Sequence, residues 1–348
     1  MRIALVAPFE ESVPPTSYGG TELVVANLAE QLVRMGHEVT LIATGDSHTS
    51  AKLLPVFPHS LRADPKMLQF REKYKYIGTG KAIDILRAGS FDVIHNHLGW
   101  RLLPFVGTLS TPVVTTLHGQ LCTEDQRVSF APFAERSFVS ISLSQRRGMP
   151  ALHYVGNVYN GIEVERFSVG TGSRSYLAFL GRMSPEKGPV EAIRVARAAG
   201  IPIKLAAKVD AVDKVYFEQE VAPLLDNKTA TFIGEVNHAQ KVELLQHAVA
   251  LLSPIQWEEP FGLVNVEAMA CGTPVIALGR GSLPELIADG KTGYICKTVE
   301  EMTAKVAVVD RLDRAACRAA VEQRFSASAM ARNYLAVYQQ ILPGNPAR

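Results

Sequence analysis

The chain has few cysteines, little excess charge and no long apolar run, and each shortage excludes a class of protein. None of the four cysteines among its 348 residues has the Cys-x-x-Cys spacing of a zinc site, so neither a zinc knuckle nor a disulfide framework is expected. Lys plus Arg number 36 against 34 Asp plus Glu, a net charge of +2 that does not suit a nucleic-acid-binding surface.

No segment approaches the ~18 apolar residues of a membrane span, and the apolar run at the N-terminus is too short for a signal peptide. We therefore expect a cytoplasmic protein with reduced thiols, and a peripheral membrane contact stays open. The sequence also has no Gly-x-Gly-x-x-Gly and no Gly-x-x-x-x-Gly-Lys-Ser/Thr loop. Dinucleotide cofactors and ATP hydrolysis are therefore not expected.

Short apolar strands alternate with amphipathic helices along the chain. Residues 3–7 predict a strand, residues 21–35 a helix after the pair Gly19-Gly20, and residues 38–43 another strand. This βαβ unit indicates a parallel sheet. The same alternation begins again near residue 175. Further strands are predicted at residues 91–95, 112–118, 138–142, 176–180, 203–207, 231–233, 250–253 and 273–277. The expected fold is therefore α/β with two doubly wound domains.

We place the first domain at residues 1–165 and the second at 166–325, with a C-terminal helix at about 326–342 packing back on the first. Ligands bind outside the carboxyl ends of parallel strands, so two such ends that face one another would form a deep cleft. The irregular segment 56–76 is either a solvated helix pair or a flap that contacts an acceptor.

A basic loop, Gly181–Gly188, connects a predicted strand to a predicted helix. It carries Arg182, a planar fork of donors, and Lys187, a mobile point charge. Because helix N-terminal amides also favour anions, the loop suits a pyrophosphate group. The alternative is a solvated basic loop.

Two glutamates flank the start of the helix predicted from Leu263. Glu259 precedes it and Glu267 lies inside it on an otherwise apolar stretch. A carboxylate there is costly to bury without donors, and sugar hydroxyls are such donors. The amides of Phe261, Gly262 and Leu263 could also hold a sugar. The structural alternatives are a pairing of Glu267 with an Arg or with backbone, and stabilisation of Glu259 by the helix dipole.

Three histidines follow strands of the first half. His95 and His97 share one face of a strand, and with His118 they could form a metal site. They could equally line an acceptor pocket or be ordinary hydrogen-bonded histidines. Tyr18 and Trp100 could stack against an acceptor ring or simply pack.

Taken in order, these motifs resemble the retaining, nucleotide-sugar-dependent glycosyltransferases of family four, which have the two-Rossmann GT-B fold. The resemblance covers nearly the whole chain and rests on the glutamate pair around Glu-Pro-Phe-Gly-Leu, the Gly-Arg loop, Gly19-Gly20, the segment from Asn160 to Phe167 and the segment from Gly281 to Glu285. The chain departs from the pattern at Gly281-Ser282, where relatives often carry a glycine pair.

The resemblance implies a role for each position. Arg182 and Lys187 would neutralise the donor diphosphate, which Gly20 would approach closely. Glu259, with the amides of Phe261, Gly262 and Leu263, would hold the donor sugar, and Glu267 the ribose diol. His118 would contact the sugar near the reacting carbon. The implied catalytic residues are His118, Arg182, Lys187 and Glu259, and the acceptor-side residues are Tyr18, His97 and Trp100.

The expected function is transfer of a hexose from a uridine diphosphate sugar to an acceptor hydroxyl, with the anomeric configuration retained. Glucose is the first candidate for the hexose. No cofactor is expected, and the absence of an Asp-x-Asp triplet suits an enzyme without a metal. The acceptor is a small molecule, a saccharide or a lipid. The alternatives are a nucleotide-sugar epimerase, a phosphorylase, or a non-catalytic nucleotide-sugar-binding protein on the same fold.

Overall fold

The computed structural model describes residues 1–16 and 19–342 and divides into two compact units. The first unit runs from Met1 to Ile162 and includes the last helix, which begins at Ala327. The second unit is Glu163–Ser326. Each unit is a parallel sheet with helices, so the α/β class predicted from the sequence is confirmed.

The first unit contains a seven-stranded parallel sheet in the order β3-β2-β1-β4-β5-β6-β7. Its strands are β1 (Arg2–Val6), β2 (Glu38–Thr44), β3 (Lys52–Phe57), β4 (Val93–Asn96), β5 (Val113–Leu117), β6 (Ser137–Ser140) and β7 (Tyr154–Asn157). Its helices before the chain enters the second unit are α1 (Gly20–Arg34), α2 (Pro65–Gln69), α3 (Arg71–Ala88) and α4 (Glu124–Phe130).

The central strand β1 shows why the sheet forms. Residues 3–6 are fully buried, as expected for a strand with both faces covered. The irregular segment 56–76 contains the end of β3, all of α2 and the start of α3. Because β3 lies at the sheet edge, it tolerates Pro55, which donates no hydrogen bond.

The second unit repeats this plan with six parallel strands in the order β10-β9-β8-β11-β12-β13. The strands are β8 (Tyr176–Arg182), β9 (Ile203–Lys208), β10 (Ala230–Gly234), β11 (Ala248–Ser253), β12 (Val275–Leu278) and β13 (Gly293–Cys296). The helices are α5 (Pro189–Ala199), α6 (Lys214–Tyr216), α7 (His238–Gln246), α8 (Leu263–Ala270), α9 (Leu283–Leu286), α10 (Val299–Val306) and α11 (Arg314–Arg324).

The last helix, α12 (Ala327–Ile341), belongs to the first unit. Its Tyr334 and Tyr338 are fully buried, and their hydroxyls reach the sheet. The Tyr338 hydroxyl lies 2.7 Å from His95 Nδ1, and that of Tyr334 lies 2.9 Å from Thr116 Oγ1. These two contacts fix α12 to β4 and β5. Over the described ranges, we find no helix that combines the length and the apolar character needed to cross a bilayer.

Each sheet has one point where the strand order reverses, and that point locates a crevice. In the first sheet it lies between β1 and β4, and in the second between β8 and β11. The loops that follow two such strands run to opposite faces of the sheet, which leaves a crevice at the carboxyl ends. In the second unit the loop after β8 carries Lys187 and the loop after β11 carries Glu259, so both lie beside this crevice.

Candidate active site

The basic loop, Gly181–Gly188, begins at the end of β8 and ends where α5 starts. Arg182, the last residue of β8, forms an ion pair through Nη2 with Glu186 of the same loop. Its Nη1 lies 3.8 Å from Asp210 Oδ2 and 3.9 Å from Asp213 Oδ2. Burial raises the pKa of Asp213. Three carboxyl groups thus surround a guanidinium that is about a quarter exposed, and an arriving anion would compete with them.

Lys187 and Glu259 form the second part of the site. Lys187 Nζ donates to Glu259 Oε2, and Trp257 Nε1 donates to the same oxygen at 3.0 Å. The ammonium also lies 5.1 Å from the centre of the Trp257 ring, a cation–π contact. Glu259 is only 7% exposed. Since both donors reach Oε2, neither of them occupies Oε1.

Contacts between backbone atoms hold the loop of Lys187 against the loop of Glu259. Gly188 has a φ of 71°, and a Cβ there would overlap the carbonyl of Pro254. Only glycine adopts this conformation at such close range without strain. Beside it, Gln256 N donates to Glu186 O at 2.8 Å.

The segment where the sequence departs from the family pattern supports Glu259 from the other side. Gly281 has a φ of 56°, and a Cβ there would overlap the backbone of Glu259. Ser282 N donates to Glu259 O at 2.9 Å, and its hydroxyl donates to Phe261 O at 2.6 Å. One glycine and one serine therefore hold the Glu259–Phe261 backbone.

Glu267 lies within the first turns of α8, is 4% exposed, and is paired with a cation that no sequence pattern predicts. Lys241 Nζ of α7 donates to Glu267 Oε1 at 2.5 Å. The structural alternative predicted from the sequence, an Arg or backbone partner for Glu267, is therefore wrong, because the partner is a lysine. Lys241 lies 26 positions earlier in the chain, so no local spacing connects the two residues.

The start of α8 carries two of the three amides predicted to hold a sugar, those of Gly262 and Leu263, and Phe261 precedes them in the chain. Gly262 is the N-cap residue, with a φ of 86°, and α8 begins at Leu263. The first amides of a helix have no partner within the helix, so they favour an external acceptor. Phe261 is 2% exposed and its ring packs edge-on against Phe325, which fixes the entry to the helix.

The three histidines of the first unit form a connected group in which His95 and His97 are buried and His118 is half-buried. His97 Nδ1 lies 2.8 Å from His118 Nε2, and the rings of His95 and His97 are 3.9 Å apart. His95 Nε2 also lies 2.7 Å from Thr116 Oγ1. Burial lowers the pKa of all three, that of His118 to about 4, so they are neutral at pH 7. Within the described part of the chain, no three His, Cys, Asp or Glu side chains are grouped as a metal site.

Two further predicted residues, Gly20 and Trp100, also belong to the first unit. Gly20 is the first residue of α1, and a Cβ on the preceding Gly19 would come within 2.7 Å of Pro15 Cβ. Trp100 is 39% exposed, and the Arg101 guanidinium covers one face of its ring at 4.9 Å. Tyr18 lies outside the described residues.

The predicted site residues are divided between the two units. The first unit contains Gly20, His97, Trp100 and His118, and the second contains Arg182, Lys187, Glu259, Phe261, Gly262, Leu263 and Glu267. No sequence pattern predicts the contacts of Trp257 with Lys187 and Glu259, although Trp257 stands two positions before Glu259. A tryptophan, which carries one ring N–H, next to an acid was the available signal.

Comparison with known proteins identifies two glycosyltransferase family domains in the chain. The family model described as glycosyl transferases group 1 matches residues 162–319, and the model for glycosyltransferase family 4 matches residues 18–149. The chain is 26% identical to a phosphatidyl-myo-inositol mannosyltransferase of Mycolicibacterium smegmatis, over 98% of this chain and 92% of that protein.

Two solved structures show the same architecture. AviGT4, a glycosyltransferase involved in avilamycin A biosynthesis, is 25% identical, with a TM-score of 0.74 over 99% of both chains. The Anabaena protein Alr3699/HepE, solved with UDP and glucose, is 16% identical, with a TM-score of 0.76 over 98% of this chain and all of that one. The two family matches lie in different halves of the chain and together span most of its length, so the chain is a glycosyltransferase with a group 1 domain and a family 4 domain, and it has the GT-B fold.

Proposed function

We propose that this glycosyltransferase moves a hexose from a nucleotide diphosphate sugar to an acceptor hydroxyl and retains the anomeric configuration. One observation carries the proposal: the basic loop and the buried carboxylate of Glu259 are in contact beside the crevice of the second sheet. Lys187 of that loop contacts Glu259 directly. Cations for a diphosphate and an acceptor for sugar hydroxyls therefore lie side by side.

Arg182 and Lys187 are the proposed diphosphate ligands. The Arg182 guanidinium already contacts carboxylates, and phosphate oxygens can accept from the same paired N–H groups. We expect the diphosphate to displace Glu186 from the guanidinium. Lys187 carries three donors, so it can keep its bond to Glu259 while a second proton reaches a phosphate oxygen. Both charges would stabilise the leaving diphosphate as the glycosidic bond breaks.

The sugar and the ribose are assigned to the two glutamates. Glu259 Oε1 would accept from a sugar hydroxyl, beside the amides of Phe261, Gly262 and Leu263. Glu267 would accept from the ribose diol. His118 is neutral at pH 7, so it would contact the sugar as a hydrogen-bonding group rather than as a cation.

For the transfer itself we propose a front-face displacement without a metal. The bond from the anomeric carbon to the diphosphate oxygen breaks, and the acceptor oxygen bonds to the same face of that carbon. The acceptor proton passes to the departing phosphate oxygen, which balances the step. Exclusion of water matters because water competes as an acceptor.

Uridine diphosphate glucose is the proposed donor. A protein of the same fold has been solved with UDP and glucose, which supports this choice. The mannosyltransferase relative makes mannose the second candidate for the hexose. The acceptor is a small molecule, a saccharide or a lipid that carries a free hydroxyl.

The test compares Arg182→Ala with Arg194→Ala, an exposed arginine on the following helix α5. UDP release from UDP-glucose is measured with water and then with an acceptor panel, and donor affinity is measured by titration. Arg182→Ala should lower turnover about 100- to 1000-fold with a smaller loss of affinity, because developing charge is what it stabilises. Near-normal turnover in a folded Arg182→Ala protein would refute the assignment. An epimerase would show turnover of the sugar without an acceptor, and a phosphorylase would require orthophosphate.

A further inference from the structure

The second unit contains two lysine–glutamate pairs of the same construction. Lys187 pairs with Glu259, and Lys241 pairs with Glu267. In each pair the glutamate side chain is less than a tenth exposed and the lysine side chain less than a fifth. Each ammonium also lies over an aromatic ring, that of Trp257 for the first pair and that of Phe167, at 5.6 Å, for the second. The proposed donor site uses Lys187 directly but leaves Lys241 without a role.

Packing restricts where the Lys241 ammonium can go. Phe167, over which it lies, is 4% exposed and packs edge-on against His238, with 5.0 Å between the rings. His238 is the first residue of α7, which also carries Lys241, and its Nε2 lies 3.0 Å from Arg166 O. The start of α7 and the segment at 166–167 are therefore fixed to each other. This arrangement directs the Lys241 side chain toward Glu267 of α8.

The other ionisable groups around Glu267 do not replace this cation. Burial lowers the pKa of His238, so its ring is neutral at pH 7. Burial raises the pKa of Cys271 to about 12, so that thiol carries no charge. Arg318 donates to the carbonyls of Phe167 and Ala270, which occupies its Nη1. Among the described contacts, the salt bridge of Glu267 is made by Lys241.

We propose that Lys241 is a positioning residue for donor binding: it holds Glu267 through Oε1 so that Oε2 is presented to the ribose diol of the nucleotide. This inference rests on the role proposed for Glu267. A carboxylate on a helix of apolar residues would otherwise rotate toward water or toward another donor. With one oxygen fixed by an ammonium, the other keeps one direction, which lowers the cost of ordering it when the nucleotide binds.

The test separates positioning from a general structural effect by changing the ligand as well as the protein. Lys241→Met and Lys241→Arg are titrated with UDP, with 2′,3′-dideoxy-UDP and with inorganic diphosphate. The control is Lys305→Met, since Lys305 also lies over an aromatic ring, Tyr294, at 4.7 Å. Thermal unfolding of each variant is recorded alongside. Should Lys241→Met not fold, Lys241→Gln provides the same comparison.

The unsubstituted protein should bind UDP more tightly than dideoxy-UDP. Lys241→Met should weaken UDP binding about 10- to 100-fold, the range for a lost hydrogen bond to a charged group, and should bind both nucleotides equally. Its affinity for inorganic diphosphate should not change. Lys241→Arg should keep most of the preference for UDP, and Lys305→Met all of it.

Other outcomes assign failure to one proposal or the other. If Lys241→Met keeps the preference for the diol while Glu267→Gln loses it, the positioning role is wrong and the role of Glu267 stands. An equal loss for all three ligands also overturns the positioning role, since it indicates damage to the whole unit. If Glu267→Gln keeps the preference, the ribose assignment itself fails. If the unsubstituted protein binds none of UDP, GDP and ADP, the proposed function and this inference both fall.

Discussion

Replacement of Lys187 by Met should destabilise the second unit, because it leaves the Glu259 carboxylate buried without its cation. Loss of one partner from a buried ion pair costs about 3–5 kcal/mol. Here the two side chains are 17% and 9% exposed, and Trp257 Nε1 still donates to Glu259, so we expect about 2–3 kcal/mol. For a unit of this size that corresponds to a midpoint lower by about 5–10 °C.

Two companion variants test whether loss of the Lys187–Glu259 ion pair causes this destabilisation. Lys187→Met/Glu259→Gln removes both charges and should recover to within about 1 kcal/mol of the unsubstituted protein. Glu259→Gln alone should cost less than Lys187→Met, because the freed ammonium is the more exposed partner and can turn to water.

The two tryptophans make this measurable in each unit separately. Trp100 lies in the first unit and Trp257 in the second, so a Trp100→Phe background leaves one reporter beside the pair. Thermal unfolding of all variants is followed by Trp257 fluorescence in this background. An unchanged midpoint for Lys187→Met, or no recovery in the double variant, would refute the claim that Lys187 stabilises the buried carboxylate.

Three further predictions concern other parts of the chain. Tyr338→Phe should cost the first unit about 1–3 kcal/mol, measured by thermal unfolding, since it leaves His95 Nδ1 buried without its partner; an unchanged midpoint would contradict this. Burial lowers the pKa of His118 to about 4, against 6.5 in the unfolded chain, so the unfolded chain takes the proton first. Stability of the first unit, followed by urea unfolding, should therefore fall from about pH 6.5 toward pH 4, by up to ~1.4 kcal/mol per pH unit for each buried histidine, and a flat profile would disprove it. Gly281→Ala should lose donor binding and stability by more than Gly290→Ala, because both have positive φ but a Cβ at Gly290 meets nothing within 4 Å; equal midpoints and affinities would show that the approach to Glu259 is unimportant.

The parts of the fold that sequence patterns predict are those whose signal is local. Central strands such as β1 and β11 are continuous apolar runs because both of their faces are covered. Three strands were not predicted, namely β3, β7 and β13, and each lies at an edge of its sheet. Edge strands are less buried, so their apolar signal is weaker, and β3 is further disguised by Pro55.

In the candidate site, too, local sequence signals predict some residues and miss the contacts between distant ones. Arg182, Lys187 and Glu259 were identified because loops at strand ends converge in a doubly wound sheet. The pairing of Lys241 with Glu267 joins two different helices and leaves no spacing signal. The contact between His95 and Tyr338 spans 243 positions, so only the folded chain reveals it.

The most direct test of the account is calorimetric titration of the chain with UDP and with UDP-glucose in the presence of EDTA. A ligand that binds through Arg182, Lys187, Glu259 and Glu267 needs no metal, so saturable binding should persist. The Arg182→Ala protein should bind both ligands more weakly, while Arg194→Ala should match the unsubstituted chain. If a well-folded sample binds no nucleotide diphosphate and no nucleotide sugar, the basic loop is not a diphosphate site and the central claim is wrong.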